Sequence, residues 1–571
     1  MHRMKSTNIL TWSFALLAGA MLIFFMNRGF DLSDEGFCLL KLQQINPGEK
    51  DIFTFQKLYR FLFGFAGVSI LGTRIIRLAL TVFSSLILAF STRDYIRHQN
   101  GEGLGNIRGL IFPLILLGGF VSYGFGPQSI SYNSLTGNLV VITLGLLTWH
   151  SLSVSRQKVS RFILPVAAGF LAFLVTMAKV PSGLMLAAVI IIYFLLMNER
   201  FIRRISFVAG FIAGAAIGAV IYSITVSNIV ADARSFIDAK ELLQTGGSNY
   251  SGSGLLITAG KTMVWSGAMF IAAFICTWVY RKWKDNADTV LSKEWIIYPV
   301  VIAACCFYYP VSYRNFLMFP VALLILCELM SAGSGLFQLE YLKRERNSIL
   351  LCLFLFVAPF ITTVGTAGSM FNSTLFTMAA WFSLMVMIMA GSRNLLFSRM
   401  VIIFTLAVTM VFITRNYLVK PYRIDSLVRQ TENIKSINPG ESIKVDSRTY
   451  RFLSEVKEKL DSCGFQPHDT VIGISKLSGL IYMMQGYSAG GAYWGGEANA
   501  NLYNANLARM IQSKGLPQFV FIKTKDISLI KNDSSLITFI DGDLREYKQV
   551  CHPIKMVGFD DIVFIMKRLE E

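Results

Sequence analysis

Residues 161–204 read RFILPVAAGFLAFLVTMAKVPSGLMLAAVIIIYFLLMNERFIRR, two apolar runs separated at Lys179-Val-Pro181 and flanked by arginines. A run must approach 20 residues to cross roughly 30 Å of hydrocarbon, and over that length only a helix satisfies its own backbone. The stretch reads as two membrane helices, with Arg161, Arg200, Arg203 and Arg204 at one face and Lys179 at the other.

Runs of the same kind start near Asn8, Ile70, Gly109, Leu135, Phe162, Gly183, Phe207, Leu256, Trp295, Phe316, Ser348, Leu375 and Met400, about thirteen in all. The 571 residues are 54% hydrophobic and 15% charged, and the mean hydropathy is +0.53. A soluble chain needs more charge to cover its surface. Alternate loops carry the basic residues: Arg93, Arg97 and Arg108; Arg156, Lys158 and Arg161; Arg200, Arg203 and Arg204; Arg281, Lys282, Lys284 and Lys293; Lys343, Arg344 and Arg346; Arg393 and Arg399. The short loops between them, from Val121 to Thr374, hold only Lys179, Arg234, Lys240 and Arg314. With Arg3 and Lys5 ahead of the first run, the positive-inside rule places the N-terminus in the cytoplasm. An odd number of spans then puts the C-terminal part across the membrane, which in a bacterial inner membrane is the periplasmic side. The net charge of +18 is thus a matter of topology and implies no nucleic-acid partner. The first run lacks a small-residue cleavage pattern and reads as a retained span.

The expected architecture is a polytopic α-helical membrane protein over residues 1–415 with a C-terminal extracytoplasmic α/β domain over 416–571. In that domain Ser442–Val445 (SIKV), Thr470–Ile474 (TVIGI), Gln518–Ile522 (QFVFI) and Ile562–Met566 (IVFIM) read as strands. Tyr450–Leu460 and Asn501–Lys514 read as helices. Alternation of this kind favours a small α/β fold. Gly486–Gly496, rich in Gly, Tyr and Trp, is either a turn-rich loop or a sugar-stacking surface. Eight cysteines show no zinc spacing. Cys463 and Cys551 share the exported domain, where a disulfide is permitted.

Two outer segments exceed a hairpin. The first, residues 27–69, opens with Asp31, Asp34 and Glu35, and its apolar positions from Phe53 to Phe65 recur at helical spacing around Lys57 and Arg60. That pattern suits a helix lying in the membrane interface. The second, residues 227–254, begins amphipathic and ends in Thr245-Gly-Gly-Ser-Asn-Tyr-Ser-Gly-Ser-Gly254, a mobile loop over a cavity or a slack connection.

Asp34 and Glu35 are solvated loop acids or carboxylates facing a cavity, since exposure to lipid is costly. The same face carries Lys57, Arg60, Arg74, Arg77, Lys179 and Arg314 against the positive-inside bias, which points to a bound anion or to snorkelling toward headgroups. A carboxylate base beside cations suits removal of a proton from an acceptor hydroxyl while a phosphate leaves. None of the five histidines falls in this part of the outer face.

The order Asp34-Glu35-Gly-Phe37, Phe55-Gln-Lys57-Leu-Tyr, Arg77-Leu-Ala, Ala178-Lys179-Val-Pro181 and Arg314-Asn-Phe-Leu-Met-Phe-Pro320 resembles membrane glycosyltransferases of the GT-C fold, in the aminoarabinose-transferase and protein O-mannosyltransferase superfamily. The chain lacks that family's Pro-Pro after Lys57 and has Val180 where the family has Gly. The resemblance implies an inverting transferase that takes a sugar from a polyprenyl-phosphate donor to a lipid, glycan or protein acceptor. Asp34 would be the general base, supported by Glu35, with Lys57, Arg77, Lys179 and Arg314 on the lipid phosphate or its sugar. The wider group leaves room for a divalent metal, for which the sequence shows no ligand set. The rival readings are a flippase or transporter, an O-antigen polymerase or ligase, and a non-catalytic scaffold or sensor.

Overall fold

The computed structural model describes residues 2–44, 49–52, 54–100, 107–155, 159–245, 346–365, 373–391, 395–492, 500–524, 547–549, 554–555 and 562–568, with isolated positions between 257 and 321. Six helices are long and apolar enough to cross a membrane: Ser6–Phe24, Ile70–Gln99, Tyr132–Val154, Ser160–Ala178, Phe201–Thr225 and Arg399–Val419. Four shorter apolar helices, Ile111–Tyr123, Val180–Leu196, Arg346–Ile361 and Leu375–Ala390, complete the set among the described residues. These coincide with ten of the expected runs and are compatible with a multi-pass membrane protein. The runs from Leu256, Trp295 and Phe316 lie outside the described residues apart from isolated positions.

In chain order the helices that matter below are α1 (His2–Phe24), α2 (Asp34–Gln43), α3 (Phe55–Phe63), α4 (Ile70–Asn100), α5 (Ile111–Tyr123), α6 (Tyr132–Ser155), α7 (Ser160–Ala178), α8 (Val180–Leu196), α9 (Phe201–Thr225), α10 (Ile229–Thr245), α11 (Arg346–Ile361), α12 (Met378–Gly391) and α13 (Leu395–Ile413). Without a hydrophobic force between helices in lipid, close packing needs small residues at the contact. On α9, Gly210, Gly214 and Gly218 recur every fourth residue. A Cβ on Gly214 would lie 1.9 Å from the Val166 carbonyl oxygen of α7, and one on Gly169 of α7 would lie 1.9 Å from that of Phe211. Only glycine permits these backbones to touch.

The C-terminal domain holds a ribbon of β1 (Glu432–Asn433) and β2 (Lys444–Val445), then α14 (Ser447–Ser462), β3 (Thr470–Ile474), α15 (Ser478–Met483), β4 (Tyr487–Ser488), α16 (Ala500–Lys514), β5 (Phe519–Thr524), β6 (Tyr547–Gln549), β7 (Ile554–Lys555) and β8 (Ile562–Arg568). The main sheet runs β4-β3-β5-β8-β6, with β7 also paired to β8. β3 is parallel to β4 and β5, while β8 is antiparallel to β5 and β6. Strands were expected at all of the long positions; the SIKV strand, however, stays out of this sheet. It pairs with β1 and with the exit of the first span, where the Gly29 N–H donates to Lys444 O at 2.7 Å and the Lys444 N–H to Asn27 O at 2.8 Å. Asp446 caps α14 by accepting the Arg448 and Thr449 amides.

The first segment and the domain share one core. Phe30, Leu39, Leu40 and Ile70 are buried together with Ile443, Leu453, Leu480 and Ile481. α2 crosses α15 at Gly36, where a Cβ would fall 2.2 Å from Gly479 Cα, and the Gly479 N–H donates to Leu32 O at 2.9 Å. Glu441 of the domain accepts the Ile70 amide that begins α4, at 3.0 and 3.1 Å, and the Tyr482 hydroxyl at 2.5 Å. Gly36→Leu should therefore force α2 and α15 apart at a cost of about 1–3 kcal/mol or more. Limited proteolysis of the membrane-embedded variant should cut the C-terminal domain faster than in wild type; an unchanged cleavage pattern would refute the shared core.

Candidate functional site

The acidic opening of the first segment is built around Asp31. Its carboxylate accepts the Ser33 amide at 2.9 Å and hydroxyl at 2.6 Å, the Asp34 amide at 2.9 Å and the Glu35 amide at 3.2 Å. Glu35 returns the favour by accepting the Asp31 amide at 3.2 Å. This reciprocal cap satisfies the orphan donors that start α2. Burial, followed by the neighbouring Asp34 charge, pushes the Asp31 carboxyl up to about 6. A carboxyl raised in the folded state binds its proton there before the unfolded chain does. Its contribution to stability is complete below the ordinary value of about 3.8 and is lost as pH rises through about 6. Moving from pH 7 to pH 5 should thus stabilise the protein by about 1 kcal/mol through this group. Thermal unfolding at both pH values should show a more favourable change for wild type than for Asp31→Asn by about that amount. Equal pH responses would exclude it.

Glu35 is buried and closed off. Both its oxygens take the Arg74 guanidinium at 2.9 Å, and Ser129 donates to it from the amide at 2.9 Å and the hydroxyl at 2.6 Å. Burial alone raises this carboxyl, but the Arg74 charge and these hydrogen bonds outweigh it and hold Glu35 below the usual range. Arg74 is fully buried, which rules out snorkelling for it, and also donates to the carbonyls of Met26, Arg28 and Gly29 in the turn that follows α1. Asp34, by contrast, keeps 25% of its side chain exposed. It accepts the Tyr422 hydroxyl at 2.5 Å and the Arg423 guanidinium at 2.8 Å. Arg423 holds a left-handed φ of 59°, uncommon for a residue with a Cβ.

Of the four expected phosphate cations, the three that are described have separate partners. Arg77 is buried in α4 and donates to the carbonyls of Pro127, Ser122 (2.9 Å) and Phe125 (2.8 Å), closing the end of α5. Lys179 is buried between α7 and α8, donating to Asn133 at 3.1 Å and to the Thr362 carbonyl beyond α11 at 2.7 Å. Cations at helix C-termini stabilise the last carbonyls. Arg314 lies outside the described residues, as does Cys551, and with it the bridge to Cys463 that the compartment permits. Of the three described, only Lys57 lines the large cavity.

That cavity, of about 840 Å³, lies between α3, the end of α9, α10 and Arg509 of α16. Its floor is the extended segment Glu49–Asp51, whose backbone is gripped from both sides. Ser235 of α10 donates to Glu49 O at 3.1 Å and accepts the Asp51 amide at 3.0 Å. Asn506 of α16 accepts the Lys50 amide at 2.9 Å and donates to Lys50 O at 3.0 Å. Beneath it Lys41, also buried, bridges Glu49 at 2.5 Å and Asp51 at 2.6 Å, and Gln56 donates to Asp51 at 2.7 Å. Burial pulls the Lys41 ammonium down, but Asp51 and Glu49 reverse the effect and raise it above its ordinary value. Lys57 pairs with Asp232, which also accepts the Tyr222 hydroxyl at 2.8 Å. Arg60 grips the carbonyls of Leu42 and Gln43. Gln44 then joins the domain by donating to Gly486 O at 2.7 Å and accepting the Ser488 amide at 2.9 Å.

The cavity thus offers carboxylates and cations fixed by their own partners, at the seam between first segment, α10 and C-terminal domain. Gly486 and Ser488 serve there as a docking edge. Lys41, Asp51 and Asp232 were missed in the sequence, although the charged run Glu49-Lys50-Asp51 after Pro47-Gly48 marks a segment that needs partners. Among the described residues no three His, Cys, Asp or Glu side chains gather as metal ligands. No family model matches the chain, and no curated protein matches it. The likeness to GT-C transferases rests on the short motifs alone.

Proposed function

We propose that this chain is a membrane glycosyltransferase that moves a sugar from a polyprenyl-phosphate donor to an acceptor on the side of its C-terminal domain, with inversion. The bacterial inner membrane, with that domain in the periplasm, is the proposed setting. The observation that carries the reading is the cavity of about 840 Å³, where charged side chains of three elements meet beside the ends of the spanning helices. A carboxylate takes the proton of the acceptor hydroxyl, the oxygen attacks the anomeric carbon, and the bond to phosphate breaks, leaving polyprenyl phosphate. Asp34 is the proposed base, because it is the one acid of the Asp31, Asp34 and Glu35 group that keeps appreciable exposure; it does not line the cavity, and Asp51, which does, is the competing candidate. Glu35, locked on Arg74, positions the start of α2 and takes no proton. Lys57 is the proposed contact to donor phosphate or sugar; Arg77 and Lys179 are held by carbonyls elsewhere in the helix bundle.

The test is transfer from a panel of polyprenyl-phosphate sugars by the purified protein. Transfer with loss of donor supports the enzyme. Labelled lipid-linked sugar crossing a vesicle without transfer makes the protein a transporter instead.

A further inference from the structure

α10 has a face that the cavity does not use. The helix is separate from α9, and the Tyr222 hydroxyl near the end of α9 reaches Asp232 in the first turn of α10 at 2.8 Å. Ten residues of unbroken helix would set them about 15 Å apart along the axis, so α10 turns sharply away from the span. Asp232 and Ser235 face the cavity, while Ala239 and Leu243 are buried against Leu502 and Leu507 of α16. Val230, Ala233 and Ile237, at helical spacing, stay exposed; Val230 is 56% and Ile237 61% accessible.

We infer that α10 lies in the headgroup layer of the leaflet on the C-terminal domain's side, beside α3, so that the cavity opens between two lipid-contacting helices. The occupant of the exposed face is the phospholipid surface. Three features select it over a protein partner. The exposed Ile217, Val220 and Ile224 of α9, a helix apolar enough to span, lead directly into Val230. α3 and the turn after it repeat the arrangement: Phe55, Leu58 and Tyr59 are buried, Lys57, Arg60 and Phe61 line the cavity, and Phe65, just past the helix, is 89% exposed. The ion pair of Lys57 with Asp232 ties the two helices at one level. Apolar faces outward with cations at their borders are what an interfacial helix presents to acyl chains and phosphates.

A benzophenone amino acid placed at Ile237, and separately at Val230 and Phe65, tests this in the full chain. The protein is reconstituted in nanodiscs of phosphatidylcholine and phosphatidylglycerol, with Arg451 of α14 as the exposed control position. Irradiation should give phospholipid adducts at Ile237, Val230 and Phe65 at least about fivefold above Arg451, as for helices set in the headgroup region. Adducts at Ile237 and Val230 no higher than the control, or adducts to a second copy of the chain, would overturn the placement of α10. The readout is independent of sugar transfer, so it stands or falls apart from the proposed activity.

Discussion

Arg74→Leu should destabilise the protein by about 3–5 kcal/mol, the range for breaking a buried ion pair by removing one partner. The change leaves the Glu35 carboxylate buried with only Ser129 and the Asp31 amide to hold it. It also strips donors from the Met26, Arg28 and Gly29 carbonyls. Each buried polar group left unmatched adds its own desolvation penalty. The double replacement Glu35→Leu/Arg74→Leu should recover part of the loss, because the stranded charge is gone while the carbonyls stay unmet. Arg74→Lys should fall between, as an ammonium lacks the planar fork that serves two oxygens at once. Fluorescence-detected melting in detergent should show a drop on the order of 5–10 °C for the single variant. Arg74→Leu melting with wild type would mean that this node does not hold α1, α2 and α4 together.

The same node shows what can be read from one dimension. The apolar runs were legible because lipid imposes a length, and β3, β5 and β8 because buried strands concentrate β-branched and aromatic residues. The Asp34-Glu35 pair stood out because acids are costly at a membrane boundary. Its partners did not. Whether Arg74 snorkels or turns inward depends on which face of α4 meets α1 and α2, and no local pattern states that. Tyr422 and Arg423 approach Asp34 across 388 and 389 positions of chain, so nothing near Asp34 announces them. Cations on a charge-poor face were a fair signal of buried anionic partners, yet for Arg77 and Lys179 the partners are carbonyls at helix ends. The SIKV strand kept its type and lost its sheet, since the exit of α1 offered it backbone partners first.

Asp34→Asn should lower sugar transfer by about 10²–10⁴-fold, the usual contribution of a positioned base, with donor binding little changed. Asparagine fills the same space and can still accept from Tyr422, so folding should survive; the melting assay above checks that. Asp51→Asn is the informative companion. α2 has ten residues and so spans about 15 Å, which separates Asp34 at its start from the wall of the cavity at Gln44 and Asp51. Asp51 lies in the cavity itself but is held by Lys41 and Gln56, and its replacement should cost transfer no more than about tenfold if its work is to fix the Glu49–Asp51 floor. The ratio of the two losses locates the chemistry. If Asp34→Asn transfers normally and Asp51→Asn fails by orders of magnitude, the base sits on the cavity floor, and the exposed Asp34 with Tyr422 and Arg423 is a hinge pin between the last span and its domain. If both transfer normally, neither carboxylate is the base, and the role passes to Glu49, Asp232 or Asp238 of the cavity lining.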